Sequence, residues 1–295
     1  MILTSFDLKE IYVREWTKVE NPIGVVQIAH GMNEYSGRYE EFARYLNSLG
    51  YVVVASDHRG HGETDSETLG FCQGDMFGDT VKDLECVARH YKQRYSGLKY
   101  ILFGHSYGSF LTQRFIQKYP ELLDGVIFSG SGVNPAPVCA VGQMVASIGC
   151  AFKGKDAPSK MMNKIVFGGY SKKVKDGEWL SIDEENNSRY KEDVYCAFIC
   201  SNNFFRSFMK NMKKLWSNKW AKGLKQDLPL LLISGKDDPV GNMGKGVLKL
   251  EKFYLKHGVK NVRVHLIEGS RHEFLNEKKN VKEGYQIITN FLNEI

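Results

Sequence analysis

Six short runs organise this chain: GVVQIAH (24–30), YVVVASD (51–57), YILFGHS (100–106), GVIFSG (125–130), PLLLISG (229–235) and VRVHLIEG (262–269). They are apolar almost without interruption, and longer stretches of helical period separate most of them. Continuous apolarity marks strands covered on both faces, which belong to a mostly parallel sheet with helices packed on either side. The expected class is therefore α/β. Ahead of the runs, residues 4–16 (TSFDLKEIYVREW) alternate loosely, as an edge hairpin does.

Between the strands, Tyr39, Phe42, Ala43 and Leu46 form one helical stripe, and Phe77, Val81, Leu84, Ala88 and Tyr91 form another. Tyr107, Leu111, Phe115 and Lys118 follow the third run, and Val281, Tyr285, Ile288 and Leu292 close the chain. All four stripes need only be core packing. The alternation then breaks after FSGSG, and about 90 residues pass before the next strand, too many for a structureless loop. Helical period continues inside that interval, with Val141, Val145, Ile148 and Phe152 on one stripe and Phe205, Phe208, Met209 and Met212 on another. The predicted organisation is a core of residues 1–134 and 226–295 with a helical lid inserted at 135–225. The lid stripes are expected to pack on the core, and a groove faced by Met144, Phe152, Phe204, Phe208 and Met212 suits an alkyl chain.

A chain of 295 residues with 42% hydrophobic and 25% charged residues can bury one sizeable core. The net charge of +6 is concentrated in the lid, where 16 Lys and Arg face 8 Asp and Glu, so the lid carries +8 and the remainder −2. A basic lid suits a solvated face, and it also suits weak contact with an anionic membrane surface; no nucleic-acid module accompanies it. Cys72, Cys86, Cys139, Cys150, Cys196 and Cys200 show neither C-x-x-C spacing nor a histidine at zinc-finger distance. Reduced, mostly buried thiols and no metal are expected. MILTSFDLKEIYVREW has no signal-peptide core, and no segment reaches roughly 18 uninterrupted apolar residues, so the expected location is cytoplasmic.

GHSYG, residues 104–108, matches G-x-S-x-G, a pattern for which about 0.2 occurrences are expected by chance in a chain so rich in glycine. Its context gives it weight, because a strand precedes Ser106 and a helical stripe begins at Tyr107, the strand–turn–helix that lifts a serine hydroxyl above a sheet. A serine hydroxyl needs a base to take its proton and a carboxylate to orient that base. SGKDDPVG and GSRHEF leave the last two strands at the carboxyl edge, where parallel sheets place their sites. His272 is then the candidate base, since His90 and His257 fall in helical stretches and His265 inside a strand. Asp238 and Asp237 are both candidate acids; Asp238 is preferred because the following Pro239 biases it to extended backbone. Backbone amides of Tyr107 and Met32 stand where an oxyanion hole needs donors.

HGMNEYSGRY, DHRGHGETD, GHSYGS, SGKDDPVG and GSRHEF, in that order and spacing, resemble the α/β-hydrolase branch of monoacylglycerol lipases and bacterial lysophospholipases, also grouped with serine aminopeptidase-like hydrolases. The resemblance spans nearly the whole chain; DAPSK and WLSIDEE in the lid resemble bacterial members. It implies an α/β-hydrolase fold with Ser106 as nucleophile, Asp238 as acid, His272 as base, and the Met32 and Tyr107 amides as oxyanion hole. Two departures concern the pocket: Tyr107 and Ser109 stand where Met and Gly are usual, and Met32 where a small residue is common. Tyr107 is thereby expected to add bulk beside the oxyanion hole.

Two other motifs are assigned no ligand. His58 and His61 in DHRGHG lack a third metal ligand, and a strand-end turn stabilised by Asp57 and Arg59 is expected, with Glu34 and Arg38 paired on the same rim. GNMGKG lacks the Gly-Lys-Ser/Thr ending of a phosphate loop. The resulting expectation is a cofactor-free serine hydrolase of esters carrying one acyl chain, a monoacylglycerol or a lysophospholipid. A general short-to-medium-chain carboxylesterase, or an amidase or aminopeptidase with the same triad, is the alternative. A non-catalytic ligand-binding protein of the same fold is the remote one.

Overall fold

Each apolar run becomes a strand, shifted from its sequence bounds by no more than two residues. The computed structural model describes residues 1–71 and 73–295; Cys72 lies outside the described residues. The strands are β1 (Ile2–Thr4), β2 (Glu10–Trp16), β3 (Gly24–Ala29), β4 (Tyr51–Ser56), β5 (Lys99–His105), β6 (Gly125–Ser129), β7 (Leu230–Gly235) and β8 (Val262–Ile267). They form one sheet in the order β1-β2-β4-β3-β5-β6-β7-β8. The β1–β2 hairpin is antiparallel and joins β4 antiparallel, while every pairing from β4 to β8 is parallel.

Strands β3, β4, β6 and β7 are buried throughout, and β5 is buried after its first residue. β8 differs: it closes the sheet edge, so most of its residues stay partly exposed and its core contribution comes from Ile267. Period-two alternation divides the buried strand residues between two layers. Val26, Ile28, Val53, Ile101 and Phe103 pack under α1 (Glu40–Ser48) and α10 (Val281–Glu294). Val25, Val52, Val54 and Leu102 pack under α2 (Met76–Arg94), α3 (Tyr107–Ile116) and α9 (Lys245–Lys256).

Five helices occupy the interval between β6 and β7: α4 (Ala136–Lys153), α5 (Lys160–Ser171), α6 (Glu184–Glu192), α7 (Asn202–Leu215) and α8 (Asn218–Ala221). α7 is the seated one; Phe204, Phe205, Phe208 and Met212 are buried, and the Ser207 hydroxyl accepts the Phe77 N–H at 3.1 Å. α4 departs from expectation. Of its expected stripe, Val145 packs on the core and Val141, though exposed, lines a cavity beside it, but Ile148 and Phe152 face outward, while Cys139 and Ala146 are its buried residues. Close approach explains this orientation. A Cβ on Gly142 would meet Met209 Sδ at 3.0 Å and one on Gly149 would meet Asn202 Oδ1 at 2.4 Å, so the small residues must face α7. α4 is also the one helix among the described residues long and apolar enough to cross a membrane, with mean hydropathy 1.3 over 18 residues. Cys139, Cys196 and Cys200 are buried thiols, Cys86 and Cys150 are partly exposed, and none of these five is paired.

Candidate active site

Ser106 stands between the end of β5 and the first turn of α3 with φ 51° and ψ −117°, backbone that L residues adopt only where their surroundings enforce it. The two motif glycines make this turn possible. A Cβ on Gly108 would lie 2.0 Å from the Ala29 carbonyl oxygen and 2.5 Å from that of His30, and one on Gly104 would lie 2.3 Å from Thr112 Oγ1. The Ser106 N–H donates to Ser129 O at 2.9 Å, which ties the turn to the end of β6. Unlike the fully buried residues beside it, Ser106 keeps part of its surface open.

The next residue along, Gly130, abuts the His272 ring, and a Cβ there would be 2.8 Å from Cε1. The end of β6 therefore bears on both the serine and the imidazole. His272 Nδ1–H donates to Asp238 Oδ2 at 2.9 Å. Asp238 is fully buried, and it also accepts the Val240 N–H at 2.8 Å and the Ser234 hydroxyl at 3.1 Å. Asp237 is turned to solvent. His272 Nε2 is buried and has no hydrogen-bond partner among the described residues, which leaves it able to accept a proton. Burial alone would push the imidazole pKa down, but Asp238, with Glu273 and Glu34 beyond it, raises it above its ordinary value. Burial likewise opposes ionisation of Asp238, yet His272 and the two other donors hold its carboxyl below the usual range. The neighbouring His105, bound to Ser129 Oγ at 2.9 Å, is pushed by burial down to about 3. Among the buried histidines, His272 is the one with a carboxylate partner and a raised pKa.

Three further histidines hold the loop that leaves β3. His58 N–H donates to His30 Nε2 at 2.9 Å, His58 Nε2–H donates to His30 O at 3.0 Å, and the two rings stack 3.8 Å apart. Asn33 N–H donates to His61 Nε2 at 3.3 Å, and His61 Nδ1–H donates to Arg59 O at 2.9 Å. Burial lowers His58 to about 3 and His61 to about 4, so both rings stay neutral. Asp57 accepts the N–H groups of Ser36 and Glu63 at 2.7 and 2.8 Å, and Arg59 pairs with Asp7 and Asp83. The Gly31 N–H donates to the Glu34 carboxylate. Met32 thus lies between the pinned Gly31 and Asn33 amides, and His30 Nδ1–H donates at 2.8 Å to Gly31 O, in the same peptide plane as the Met32 N–H.

The five residues expected to face a lid groove separate into three groups. Phe208 and Met212 line a 560 Å³ cavity together with Phe110, Val145, Met162 and Val166. Phe204 is buried against the Tyr107 ring, 5.2 Å away. Met144 and Phe152 are 56% and 86% exposed, carried outward by the orientation of α4, and neither lines that cavity. The Tyr107 ring is itself buried edge-on to Phe77 and Phe208, so its bulk joins lid to core instead of narrowing the pocket. One cluster was legible in the sequence only as the spacing of a helical ion pair. Glu34 and Arg38 do pair at 2.9 Å, but Arg38 also binds Glu273, and Asn186 from the lid joins them.

A mostly parallel sheet, a strained serine at a strand–helix turn and a His–Asp pair on the last two strand exits together define an α/β-hydrolase. The family model described as serine aminopeptidase, S33 matches residues 20–279, and the chain belongs to that family. It is 25% identical over 280 residues to a monoglyceride lipase homolog of Monkeypox virus, covering 95% of this chain and 92% of that one. It is also 25% identical to a monoacylglycerol lipase of Mycolicibacterium smegmatis, covering 89% and 85% of the two chains. A thermostable carboxyl esterase from Bacillus coagulans, solved with glycerol, superposes with a TM-score of 0.90 at 26% identity over 100% of this chain and 97% of that one.

Proposed function

We propose that this protein hydrolyses esters of a single acyl chain, monoacylglycerols or lysophospholipids, through Ser106, His272 and Asp238. The chain is a carboxylic ester hydrolase. The observation that carries the triad is the buried Asp238–His272 pair, in which the imidazole pKa is raised and Nε2 has no partner among the described residues, at the same end of β6 as a serine held in strained backbone. In this reading Ser106 Oγ attacks the ester carbonyl while His272 Nε2 takes its proton and then returns it to the leaving alcohol. Water cleaves the acyl-enzyme by the same route. Asp238 keeps Nδ1 protonated and stabilises the imidazolium, and the Met32 and Tyr107 amides receive the oxyanion.

The cavity supports an acyl chain over a charged amine, because no Asp or Glu lines it. That favours an ester with an alkyl tail over the aminopeptidase alternative. The relatives named as monoacylglycerol lipases support the same choice. The outward face of α4, with Ile148 and Phe152 beside Lys153, suits weak contact with a membrane surface that holds such substrates. A fluorophosphonate probe tests the triad: it should label wild type and not Ser106→Ala, and equal labelling of both refutes the assignment. Monoacylglycerol, lysophosphatidylcholine and an aminoacyl amide assayed side by side test the substrate class, and faster amide turnover refutes the ester reading.

A further inference from the structure

The loop after β3 and the loop carrying His272 meet on one guanidinium, across 235 residues of sequence. Arg38 donates to Glu34 Oε2 at 2.9 Å, to both oxygens of Glu273, and to Asn186 Oδ1 at 3.0 Å. Asn186 Nδ2–H returns to Glu273 Oε2 at 2.7 Å, and Glu34, Arg38, Glu273 and Asn186 are all buried or nearly so. A buried ionic cluster is weak support for stability in itself, since desolvation offsets much of the attraction. What it supplies is a fixed relation between the segments it joins.

Each partner leads toward a reacting group. Glu34 accepts the Gly31 N–H and the Tyr39 hydroxyl, the latter at 2.8 Å, and so orients the His30–Gly31 peptide, one residue ahead of the Met32 amide. Glu273 follows His272 directly, and its own N–H donates to Leu180 O at 2.9 Å. Asn186 belongs to α6, whose first turn is capped by Asp183. We propose that Arg38 is a positioning residue that aligns the oxyanion loop with the base loop, and that Asn186 makes this alignment depend on the docking of lid helix α6. The proposal rests on the Ser106–His272–Asp238 reading.

The same cluster sets the charge around the imidazole. His272 faces Asp238, His105 and Glu273, with Glu34 and Arg38 beyond; Arg38 faces Glu34, Glu273, Tyr39, the Tyr190 ring at 5.0 Å and the Cys196 thiol. Burial keeps His105, Tyr39, Tyr190 and Cys196 neutral. Burial already pushes the Glu34 carboxyl up, so removing the guanidinium leaves chiefly the Glu273 carboxylate uncompensated beside His272 and favours the imidazolium.

The test uses Arg38→Met, Arg38→Lys and Asn186→Ala with p-nitrophenyl butyrate, and kcat is expressed per active site titrated by fluorophosphonate. Arg38→Met should lower kcat about 100-fold, the scale of losing one oxyanion donor, with KM changed less than about threefold. It should also move the acid limb of kcat/KM upward by about half a pH unit or more. Arg38→Lys keeps the charge and loses the fork, so the limb should return to its wild-type position while kcat stays low. Asn186→Ala should lower kcat by about fivefold without raising KM. Wild-type kcat per site and an unmoved limb in folded Arg38→Met overturn the proposal, since a merely structural residue changes the fraction folded alone. If Arg38→Met does not fold, unchanged kcat in Arg38→Lys and Asn186→Ala overturns it equally. Wild type that fails to label at Ser106 overturns the triad reading instead, and the proposal falls with it.

Discussion

Gly108→Ala should damage both stability and activity by an amount the backbone geometry sets. The added Cβ would sit 2.0 Å from Ala29 O and 2.5 Å from His30 O, both main-chain atoms that no rotamer change can move. An ordinary carbon–oxygen contact is about 3.3 Å, so α3 must shift by about 1.3 Å or the end of β3 must give way. Overpacking of this kind costs about 1–3 kcal/mol, a fall in melting temperature of roughly 2–5 °C for a chain of this length. Because α3 begins directly after Ser106 and β3 leads into Met32, the shift separates the proposed nucleophile from the proposed oxyanion loop. A displacement near 1 Å costs about 100-fold in rate, or about 2.7 kcal/mol of transition-state stabilisation. Thermal unfolding, with kcat/KM on a p-nitrophenyl ester, measures both. Gly168→Ala inside α5 is the control, since its Cβ would meet only Lys164 Cγ at an ordinary 3.8 Å and the residue lies outside the cavity lining. A Gly108→Ala protein with wild-type melting temperature and rate would refute the requirement for glycine at the elbow.

Asp238→Asn should lower kcat by about 10⁴-fold, about 5 kcal/mol, because the amide cannot hold Nδ1 protonated. In wild type the acid limb of kcat/KM should lie above pH 6.5, the ordinary histidine value, and Asp238→Asn should move it down because burial is then opposed only by the weaker pull of Glu273 and Glu34; pH–rate profiles decide this. Gly168→Ala, by removing chain entropy from the unfolded state, should raise stability by up to about 1 kcal/mol in denaturant melts. Glu273 is held below its ordinary 4.5, with Arg38 opposing the effect of burial, so the stability it lends is complete above pH 4.5 and is lost as pH falls. Urea midpoints should drop over that acid range in wild type and drop less in Glu273→Gln.

The strands were legible because a parallel sheet covered on both faces demands uninterrupted apolar runs, and YVVVASD or PLLLISG satisfy nothing else as well. β8 was less so, because an edge position is a property of the whole sheet and His265 exposes what the run appeared to bury. The Ser106 elbow was legible because Gly104 and Gly108 are required by close backbone approach, a constraint that leaves a trace in residue type. The α4 stripe misled for a related reason: periodicity reports that a helix has two faces, and the glycines that brought it against α7 decided which face turned inward. The Arg38 cluster left only the i, i+4 spacing of Glu34 and Arg38 as a trace.

By itself the sequence determined the α/β class, the order of the strands' chemistry along the chain, and the residue types available for a nucleophile, acid and base. Those features depend on local steric and hydrophobic constraints that each segment carries alone. Only the tertiary structure decided that Asp238 faces His272 while Asp237 faces solvent, that Phe208 and Met212 reach the cavity while Met144 and Phe152 do not, and that one guanidinium joins two loops and a lid helix. Each of these depends on the relative placement of segments distant in sequence, which is set when their surfaces pack and not before.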